Sequence, residues 1–152
     1  MVGAQGFGLY ATESMRLEKS YRHWKADLIT EFNPFESGLD RFVDMSKNFI
    51  GRDALQAMQE AGPRRRFACL AVDNTQAAAH PGDSILKEGR VVGTVTSAAW
   101  GYRTGMNLAM GFVEPGCADV GTPLDVEIIG KTFDARVIPE CPYDPENTLV
   151  RN

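Results

Sequence analysis

Histidine and cysteine, the side chains that most often hold metals or act as nucleophiles, are few and widely spaced in this chain of 152 residues. The two histidines are His23 and His80, and the three cysteines are Cys69, Cys117 and Cys141. No cysteine lies near a histidine at the spacing of zinc ligands, so the sequence predicts no metal site and disfavours a triad built on histidine. An odd number of scattered cysteines does not form a disulfide framework. This favours a reducing compartment, either the cytoplasm or, in a eukaryote, the mitochondrial matrix.

The stretch around Arg16 and Trp24 carries side chains suited to binding a small molecule. Tyr21 and Trp24 fall on one apolar stripe at helical spacing, where they could pack in the core or line a cleft; the residues alone favour the core. Arg16 and Glu18 are two positions apart and do not share a helix face. Surface ion pairs with neighbours such as Arg22 are therefore the alternative to a role in binding.

A second pair of aromatic residues, Trp100 and Tyr102, lies in the glycine-rich loop SAAWGYRTG. Large aromatic side chains on a flexible loop are typical of an interface or a ligand wall. Packing in the core is an equally open alternative for this pair.

The overall charge is acidic, with a formal net charge of −4 at pH 7 and a pI near 5.2. A nucleic-acid-binding face needs a basic patch, and the run Arg64-Arg65-Arg66 is too short for one, so we interpret it as a solvated linker edge. No stretch approaches the ~18 apolar residues that span a bilayer. Composition therefore indicates a globular protein and argues against partners such as nucleic acid or a membrane.

The first part of the chain, residues 1–62, shows the spacing of helices. Apolar side chains recur every three or four positions over 9–28, which predicts a helix. A short alternating run predicts a strand over 38–45, and a second apolar stripe predicts a helix over about 51–61. The Gly62-Pro63 pair that follows is a typical helix end.

From residue 66 onward the pattern changes to the alternation of strands. About six short runs lie between turn signals over 66–139, and Gly130-Lys131 is predicted as a two-residue hairpin loop. Six short antiparallel strands remove their exposed edges by closing on themselves, so we predict a six-stranded antiparallel barrel. The side chains predicted to face inward in the last two strands are Leu124, Val126, Ile128, Phe133, Ala135 and Val137.

Five blocks of the sequence resemble the glycine cleavage T-protein (aminomethyltransferase) family in order and spacing. Three are the RLE at Arg16–Glu18, the P-x-x-x-G-L at Pro34–Leu39 and the FIGRDAL at Phe49–Leu55. The others are GRVVGTVTSAAWGYRTGMNLAMGFV, similar to a hairpin of the C-terminal barrel of the family, and GTPLDVEIIGKTFDARVI, similar to its last two strands. Within the family, EKSYRHW and PYDPEN most resemble the C-terminal halves of flavin-linked dimethylglycine and sarcosine dehydrogenases.

This resemblance implies a fold class and a set of ligands. The expected fold is an α+β tail of a folate-binding domain over 1–62, followed by an all-β domain, the six-stranded antiparallel Greek-key barrel, over 63–152. The implied cofactor is tetrahydrofolate in the intact parent, with FAD possible on a missing N-terminal domain. The implied partners are the folate, a methylated amine or related methyl donor, and the rest of the parent chain or a flavin domain.

The resemblance also implies which site residues this chain holds. The catalytic aspartate of the family, and a glutamate that holds the pterin, belong upstream of Met1, so no catalytic residue is expected here. A folate-contacting arginine of the family corresponds to Thr12, and a C-terminal tyrosine to Thr148. Arg41 could bind the glutamate tail of folate through its planar guanidinium, or simply project from the polar side of a strand. The expected cofactor-binding residues are Arg41, Arg16, Tyr21 and Trp24.

Two functions are open at this point. The first is the C-terminal part of a tetrahydrofolate-dependent, aminomethyltransferase-like enzyme of one-carbon metabolism, from a dimethylglycine or sarcosine dehydrogenase-type or demethylase parent. On this hypothesis the 152 residues alone are inactive. The alternative is a non-catalytic folate-binding or docking barrel module.

Overall fold

In the computed structural model, which describes residues 3 and 5–151, two helices precede a barrel of six strands and a short helix follows it. The helices are α1 (Leu9–Glu18), α2 (Arg52–Ala61) and α3 (Thr148–Arg151). The strands are β1 (Arg66–Val72), β2 (Ser84–Lys87), β3 (Arg90–Gly101), β4 (Met106–Val113), β5 (Pro123–Ile128) and β6 (Lys131–Ile138). Within the described residues, no helix has the length and apolar character needed to cross a membrane.

The six strands close into a barrel in the order β1-β4-β3-β2-β5-β6, and neighbouring strands are antiparallel. β1 completes the closure because it pairs with β4 on one side and with β6 on the other. Each strand therefore has two neighbours, and the barrel leaves no open edge. The predicted six-stranded antiparallel barrel is confirmed.

Apolar side chains fill the barrel interior, as the alternation of β5 and β6 predicts. Five of the six residues expected to face inward are buried, and the sixth, Phe133, is partly buried against the same cluster. The hairpin loop between these strands is Ile129-Gly130, with φ of 49° and 69°, as in a type I′ turn. The predicted loop Gly130-Lys131 is thus wrong by one residue, because Lys131 already pairs with Ile128 in the ladder.

A second cluster of buried side chains lies outside the barrel, between its wall and the N-terminal segment. Leu17 of α1 packs there against outward-facing side chains of β1 and β4. Phe32 stacks on Phe112 with ring centroids 3.7 Å apart, and Phe67 meets the same ring edge-on at 5.6 Å. This cluster attaches the N-terminal segment to the barrel.

The first helix is shorter than predicted. α1 ends two residues before Ser20, whose positive φ of 53° is incompatible with its continuation. The apolar stripe is therefore broken, and Tyr21 and Trp24 are 59% and 70% exposed. The expectation that these two rings pack in the core is wrong. The helix does not continue through this stretch because the amide of His23 donates its hydrogen bond to the carboxylate of Asp27 at 2.7 Å, and not to a backbone oxygen of the preceding helical turn.

The strand predicted over 38–45 is also wrong. This stretch contains a 3₁₀ turn at Asp40–Phe42, which the chain enters through Gly38 at a φ of 63°. All strands of the described chain belong to the barrel, so the alternating pattern of this stretch has no partner strand to pair with.

The second helix is confirmed. α2 ends at Ala61 and is capped by Gly62, which has a φ of 77°, as the Gly-Pro pair predicted. None of the residues of α2 is buried, although its apolar stripe includes Leu55 and Met58. The domain boundary predicted between residues 62 and 63 falls between α2 and β1, and it stays a prediction.

Candidate functional site

Arg16, one of the predicted binding residues, turns its guanidinium toward the protein. Its Nη1 donates to the carboxylate of Asp27 at 3.0 Å and to the backbone oxygen of Tyr21 at 2.9 Å. Its Nε and Nη2 both contact the carboxylate of Glu13. Each guanidinium nitrogen is thus bonded within the protein, and Arg16 fixes the position of the segment that follows α1.

Asp27 lies at the centre of this network and is fully buried. Besides Arg16 and the amide of His23, its carboxylate accepts hydrogen bonds from the hydroxyls of Thr96 and Ser97, the latter at 2.8 Å. Thr96 and Ser97 belong to β3, so one carboxylate ties the N-terminal segment to the barrel wall. Its burial is tolerated because donors surround it.

Glu18 makes a similar connection at the end of α1. Its buried carboxylate accepts hydrogen bonds from the backbone amides of Arg103 at 2.6 Å and Thr104 at 2.9 Å, in the turn between β3 and β4. The neighbouring Lys19 donates to the backbone oxygen of Asp144 at 2.6 Å and so holds the C-terminal segment. The alternative of a surface ion pair is thus not found for Glu18, since backbone amides of a distant turn satisfy this carboxylate.

Arg22 forms a third link between the N-terminal segment and the barrel. Its guanidinium makes two parallel bonds of 2.9 Å to Glu140, just beyond β6, and lies 4.2 Å from the centre of the Phe67 ring. Bidentate pairing and stacking on an aromatic face are the contacts for which a planar guanidinium is best suited. Arg16 and Arg22 thus fasten the chain on both sides of the exposed Tyr21.

Arg41 lines an open groove of about 590 Å³, here called the polar groove, between the 3₁₀ turn, α2 and the start of β1. Its guanidinium lies 4.8 Å from the centre of the Phe42 ring. Among the described residues, no carboxylate lies within 4.0 Å of the Arg41 guanidinium. Asn33, Gln59 and Arg66 line the same groove. The acidic residues Glu36, Asp40 and Glu140 also line it, so the groove carries charges of both signs.

Trp24 lines a different groove, of about 520 Å³, here called the apolar groove because six of its nine lining residues are apolar. Lys25 lies on its rim and takes a positive φ of 71°. The other lining residues are Leu28, Ile29, Thr30, Phe32, Pro34, Ser37 and Leu39.

The segment 33–39 separates the two grooves. Phe35 and Gly38 line the polar groove, whereas Pro34 and Leu39 line the apolar groove. The four predicted binding residues therefore do not form one cluster. Arg41 lines the polar groove, Trp24 lines the apolar groove, Tyr21 is exposed, and Arg16 is bonded internally.

Sequence reasoning missed the buried carboxylates that position these elements. Asp27 is one of them, and Glu36 is another, since it accepts hydrogen bonds from the amides of Arg64 at 2.9 Å and Asn33 at 3.1 Å. The run that begins with Arg64, expected to be a solvated linker edge, thus also supplies a backbone donor. The available signal was an acidic residue next to an apolar one, such as Asp27 before Leu28, but nothing local identifies its partners.

The aromatic pair Trp100 and Tyr102 lines a small cavity of about 320 Å³ at one end of the barrel. Tyr102 is 81% exposed, so packing in the core is excluded for this residue. Trp100 is half-buried, and its backbone oxygen accepts a hydrogen bond from the hydroxyl of Ser14 in α1 at 2.7 Å.

The buried titratable groups of the described residues are held in structural contacts. They contain no cluster of three or more histidine, cysteine or acidic side chains that could bind a metal ion. Burial raises the pKa of the Cys69 thiol to about 11, although the hydroxyl of Ser20 lies 3.2 Å away, so its thiolate is scarce at neutral pH. The carboxylates of Asp27, Glu18 and Glu36 each accept hydrogen bonds from structural donors.

Two protein-family models match this chain. The model of the glycine cleavage T-protein C-terminal barrel domain matches residues 65–144, which include all six barrel strands. The model of the GCVT N-terminal domain matches residues 1–47, which include α1 and the segment that carries Trp24 and Arg41.

Curated proteins and a solved structure show the same similarity. The chain is 36% identical to the mitochondrial dimethylglycine dehydrogenase of Mus musculus over 140 residues, which cover 91% of this chain and 16% of that protein. It is 36% identical to an aminomethyltransferase of Desulfitobacterium hafniense (strain DSM 10664 / DCB-2) over 143 residues, covering 93% of this chain and 39% of that protein. The crystal structure of glycine cleavage system aminomethyltransferase T from Bartonella henselae matches with a TM-score of 0.81 and 25% identity, over 89% of this chain and 38% of that chain. This chain therefore spans well under half the length of these relatives.

Proposed function

Because this chain belongs to the glycine cleavage T-protein family, we propose that it is the C-terminal part of a tetrahydrofolate-dependent enzyme of one-carbon metabolism. We propose a parent of the dimethylglycine or sarcosine dehydrogenase type, which the similarity to a dimethylglycine dehydrogenase supports; a demethylase is the second kind of parent. In a dehydrogenase-type parent, FAD would belong to a further N-terminal domain. The similarity to a mitochondrial dimethylglycine dehydrogenase supports a location in the mitochondrial matrix if the source of this chain is eukaryotic.

The observation that carries this proposal is the exposed apolar surface of the N-terminal segment. Its exposed large hydrophobic side chains include Phe7, Leu9, Tyr10, Phe42, Ile50 and Met58. An accumulation of exposed large apolar side chains in one segment supports the proposal that another protein segment covers it. We propose that the rest of a folate-binding domain covers it, since the match to this chain spans only 39% of the aminomethyltransferase of Desulfitobacterium hafniense.

We propose that residues 16–41 form one wall of the folate site. Arg41 is the proposed partner of a carboxylate on the glutamate tail, because its guanidinium is exposed in the polar groove and lacks a carboxylate partner among the described residues. Tyr21 and Trp24 offer exposed rings that can stack on the aromatic parts of a folate. Arg16 is proposed to act by holding the segment that carries both rings.

Bound tetrahydrofolate supplies a nitrogen nucleophile that receives the one-carbon unit. The contribution of this chain is to bind and orient, which lowers the entropic part of the barrier. The acid or base is proposed to come from the preceding part of the parent, because the buried carboxylates Glu18, Asp27 and Glu36 are already bonded to structural donors. The 152 residues alone are therefore proposed to be inactive.

The test compares the purified 152-residue chain with the intact parent protein. Each is supplied with tetrahydrofolate, dimethylglycine or sarcosine and an electron acceptor, and 5,10-methylenetetrahydrofolate is quantified by mass spectrometry. The intact protein is expected to form this product and the isolated chain is not. Product formation by the isolated chain would refute the assignment of the reacting group to another part of the parent. Folate binding without product in both samples would favour the non-catalytic barrel module.

A further inference from the structure

The small cavity at one end of the barrel is lined by a residue with an unpaired polar atom. Asn107 of β4 is 4% exposed and lines this cavity of about 320 Å³. Its Nδ2 donates to the backbone oxygens of Asn74 and Ala77, each at 2.8 Å. Within the part of the chain that the structure describes, its Oδ1 is buried and accepts no hydrogen bond. A buried acceptor without a donor costs free energy, so a ligand that supplies the donor would be favoured here.

The orientation of the Asn107 amide is fixed by its neighbours. Exchanging its nitrogen and oxygen would place Oδ1 against the two backbone oxygens that now accept from Nδ2, and two acceptors cannot pair. The loop that supplies these oxygens is itself held in place. Nδ2 of Asn74 donates to the backbone oxygen of Ala77 at 3.0 Å, and Oδ1 of Asn74 accepts from the amide of Gln76 at 2.9 Å. The Asn107 amide therefore cannot turn over to satisfy its oxygen.

The rest of the cavity lining is neutral and partly aromatic. Trp100 lies opposite Asn107 in the ladder between β3 and β4, and Tyr102 lies in the turn that follows β3. None of the described residues that line the cavity carries a formal charge; the others are Asn74, Thr75, Gln76, Ala77 and Ala78. The faces of tryptophan and tyrosine rings attract cations, and an amide oxygen accepts from an N–H group. A small organic cation with an N–H group satisfies both.

We propose that this cavity binds a small alkylammonium ion that keeps at least one N–H group. The N–H group donates to Oδ1 of Asn107, and the alkyl groups lie against the rings of Trp100 and Tyr102. Because Oδ1 is covered, the ion displaces part of the cavity wall as it enters, and Tyr102, which is 81% exposed, is the ring with the most room to move. None of the residues of this site lines the polar or the apolar groove, so the inference does not rest on folate binding.

The experiment titrates the ¹⁵N-labelled 152-residue chain with dimethylammonium chloride and follows ¹H–¹⁵N correlation spectra. The indole NH of Trp100 and the side-chain amide of Asn107 are expected to shift together. Tetramethylammonium carries the charge and the methyl groups but no N–H group, so it is expected to bind about tenfold more weakly. Isopropanol is a neutral donor of similar shape, and it is expected to bind about fivefold more weakly because the attraction between cation and ring is lost.

Two variants test the aromatic contribution and its location. Tyr102→Ala removes an exposed ring from the cavity and is expected to raise the Kd of dimethylammonium about two- to fivefold, as for a lost cation–ring contact. Trp24→Ala is the matched control, because it removes an exposed ring that lies outside this cavity, and it should leave the Kd unchanged. Unperturbed amides in β1 and β6 show that each variant is folded.

Four results would overturn the inference. The first is the absence of a shift of the Trp100 indole NH at a large excess of dimethylammonium. The second is an equal Kd for dimethylammonium and tetramethylammonium, which would show that Oδ1 of Asn107 takes no part. The third is an equal Kd for isopropanol, which would show that an uncharged donor suffices. The fourth is a Kd that rises for Trp24→Ala but not for Tyr102→Ala, which would place the ion elsewhere.

Discussion

Replacing Asp27 by alanine should detach the N-terminal segment from the barrel. The carboxylate is fully buried and accepts from Arg16 at 3.0 Å, from the amide of His23 at 2.7 Å and from the hydroxyl of Ser97 at 2.8 Å. Its removal leaves a guanidinium, an amide and hydroxyl groups without their acceptor. Breaking a buried ion pair in this way typically costs about 3–5 kcal/mol. That is a large part of the ~5–15 kcal/mol by which domains of this kind are stable.

Urea unfolding followed by far-UV circular dichroism measures this loss as a fall in the free energy of unfolding. Asp119→Ala is the matched control, because Asp119 pairs with Arg66 at 3.2 Å but its side chain is 78% exposed, and such pairs contribute about 0–1 kcal/mol. Hydrogen exchange should show the largest loss of protection in α1 and the segment up to Asp27, with β5 and β6 less affected. The reasoning is refuted if Asp27→Ala costs no more than Asp119→Ala, or if the loss of protection is uniform.

Three further outcomes are expected. In the intact parent, Arg41→Ala should weaken the binding of a folate with its glutamate tail by about 1.5–3 kcal/mol and leave the binding of a pterin without the tail unchanged. If calorimetry shows equal losses of binding free energy for both ligands, Arg41 is an ordinary surface residue. Because burial raises the pKa of Cys69 to about 11, iodoacetamide at pH 8 should label the half-buried Cys141 before Cys69, and peptide mass spectrometry showing the reverse order would contradict this. The hydrogen bond from Arg90 at 2.7 Å lowers the pKa of Glu114. The stabilisation of the folded state by this pair is therefore complete above the unfolded-state pKa of Glu114 and is lost as pH falls through the lowered folded-state pKa. Glu114→Gln should therefore lower the melting temperature slightly at pH 7 and not in strongly acidic solution, and an equal decrease at both would rule out this pair as the cause.

The barrel could be predicted because the alternation of apolar and polar residues is a local property of each strand. In β5 and β6 the side chains alternate between the two faces with a period of two, and this property of an extended backbone holds whatever the strand pairs with. The hairpin loop was nevertheless displaced by one residue, since Ile129 takes a positive φ that a β-branched residue is not expected to adopt. α2 was predicted for the same local reason, together with its end at Gly62.

Elements whose form depends on distant partners were predicted wrongly. The apolar stripe through Trp24 satisfied helical spacing, but the chain leaves the helix and bonds to Asp27. The alternating residues over 38–45 satisfied the strand pattern, yet no neighbouring strand in the described chain completes the ladder, so a 3₁₀ turn forms. Periodicity states what a segment is able to form, and tertiary bonds decide among the possibilities.

The sequence by itself determined the family, through motifs at fixed spacing, and the closed barrel, through alternation that each strand carries independently. It also identified Arg41 and Trp24 as side chains worth testing. Only the tertiary structure decided that these two residues line separate grooves and that Arg16 is bonded internally. The reason is that the carboxylate of Asp27 accepts a hydrogen bond from the hydroxyl of Ser97, 70 positions away in the sequence. A pairing over that distance is set by how the whole chain packs, and it leaves no local pattern in the residues.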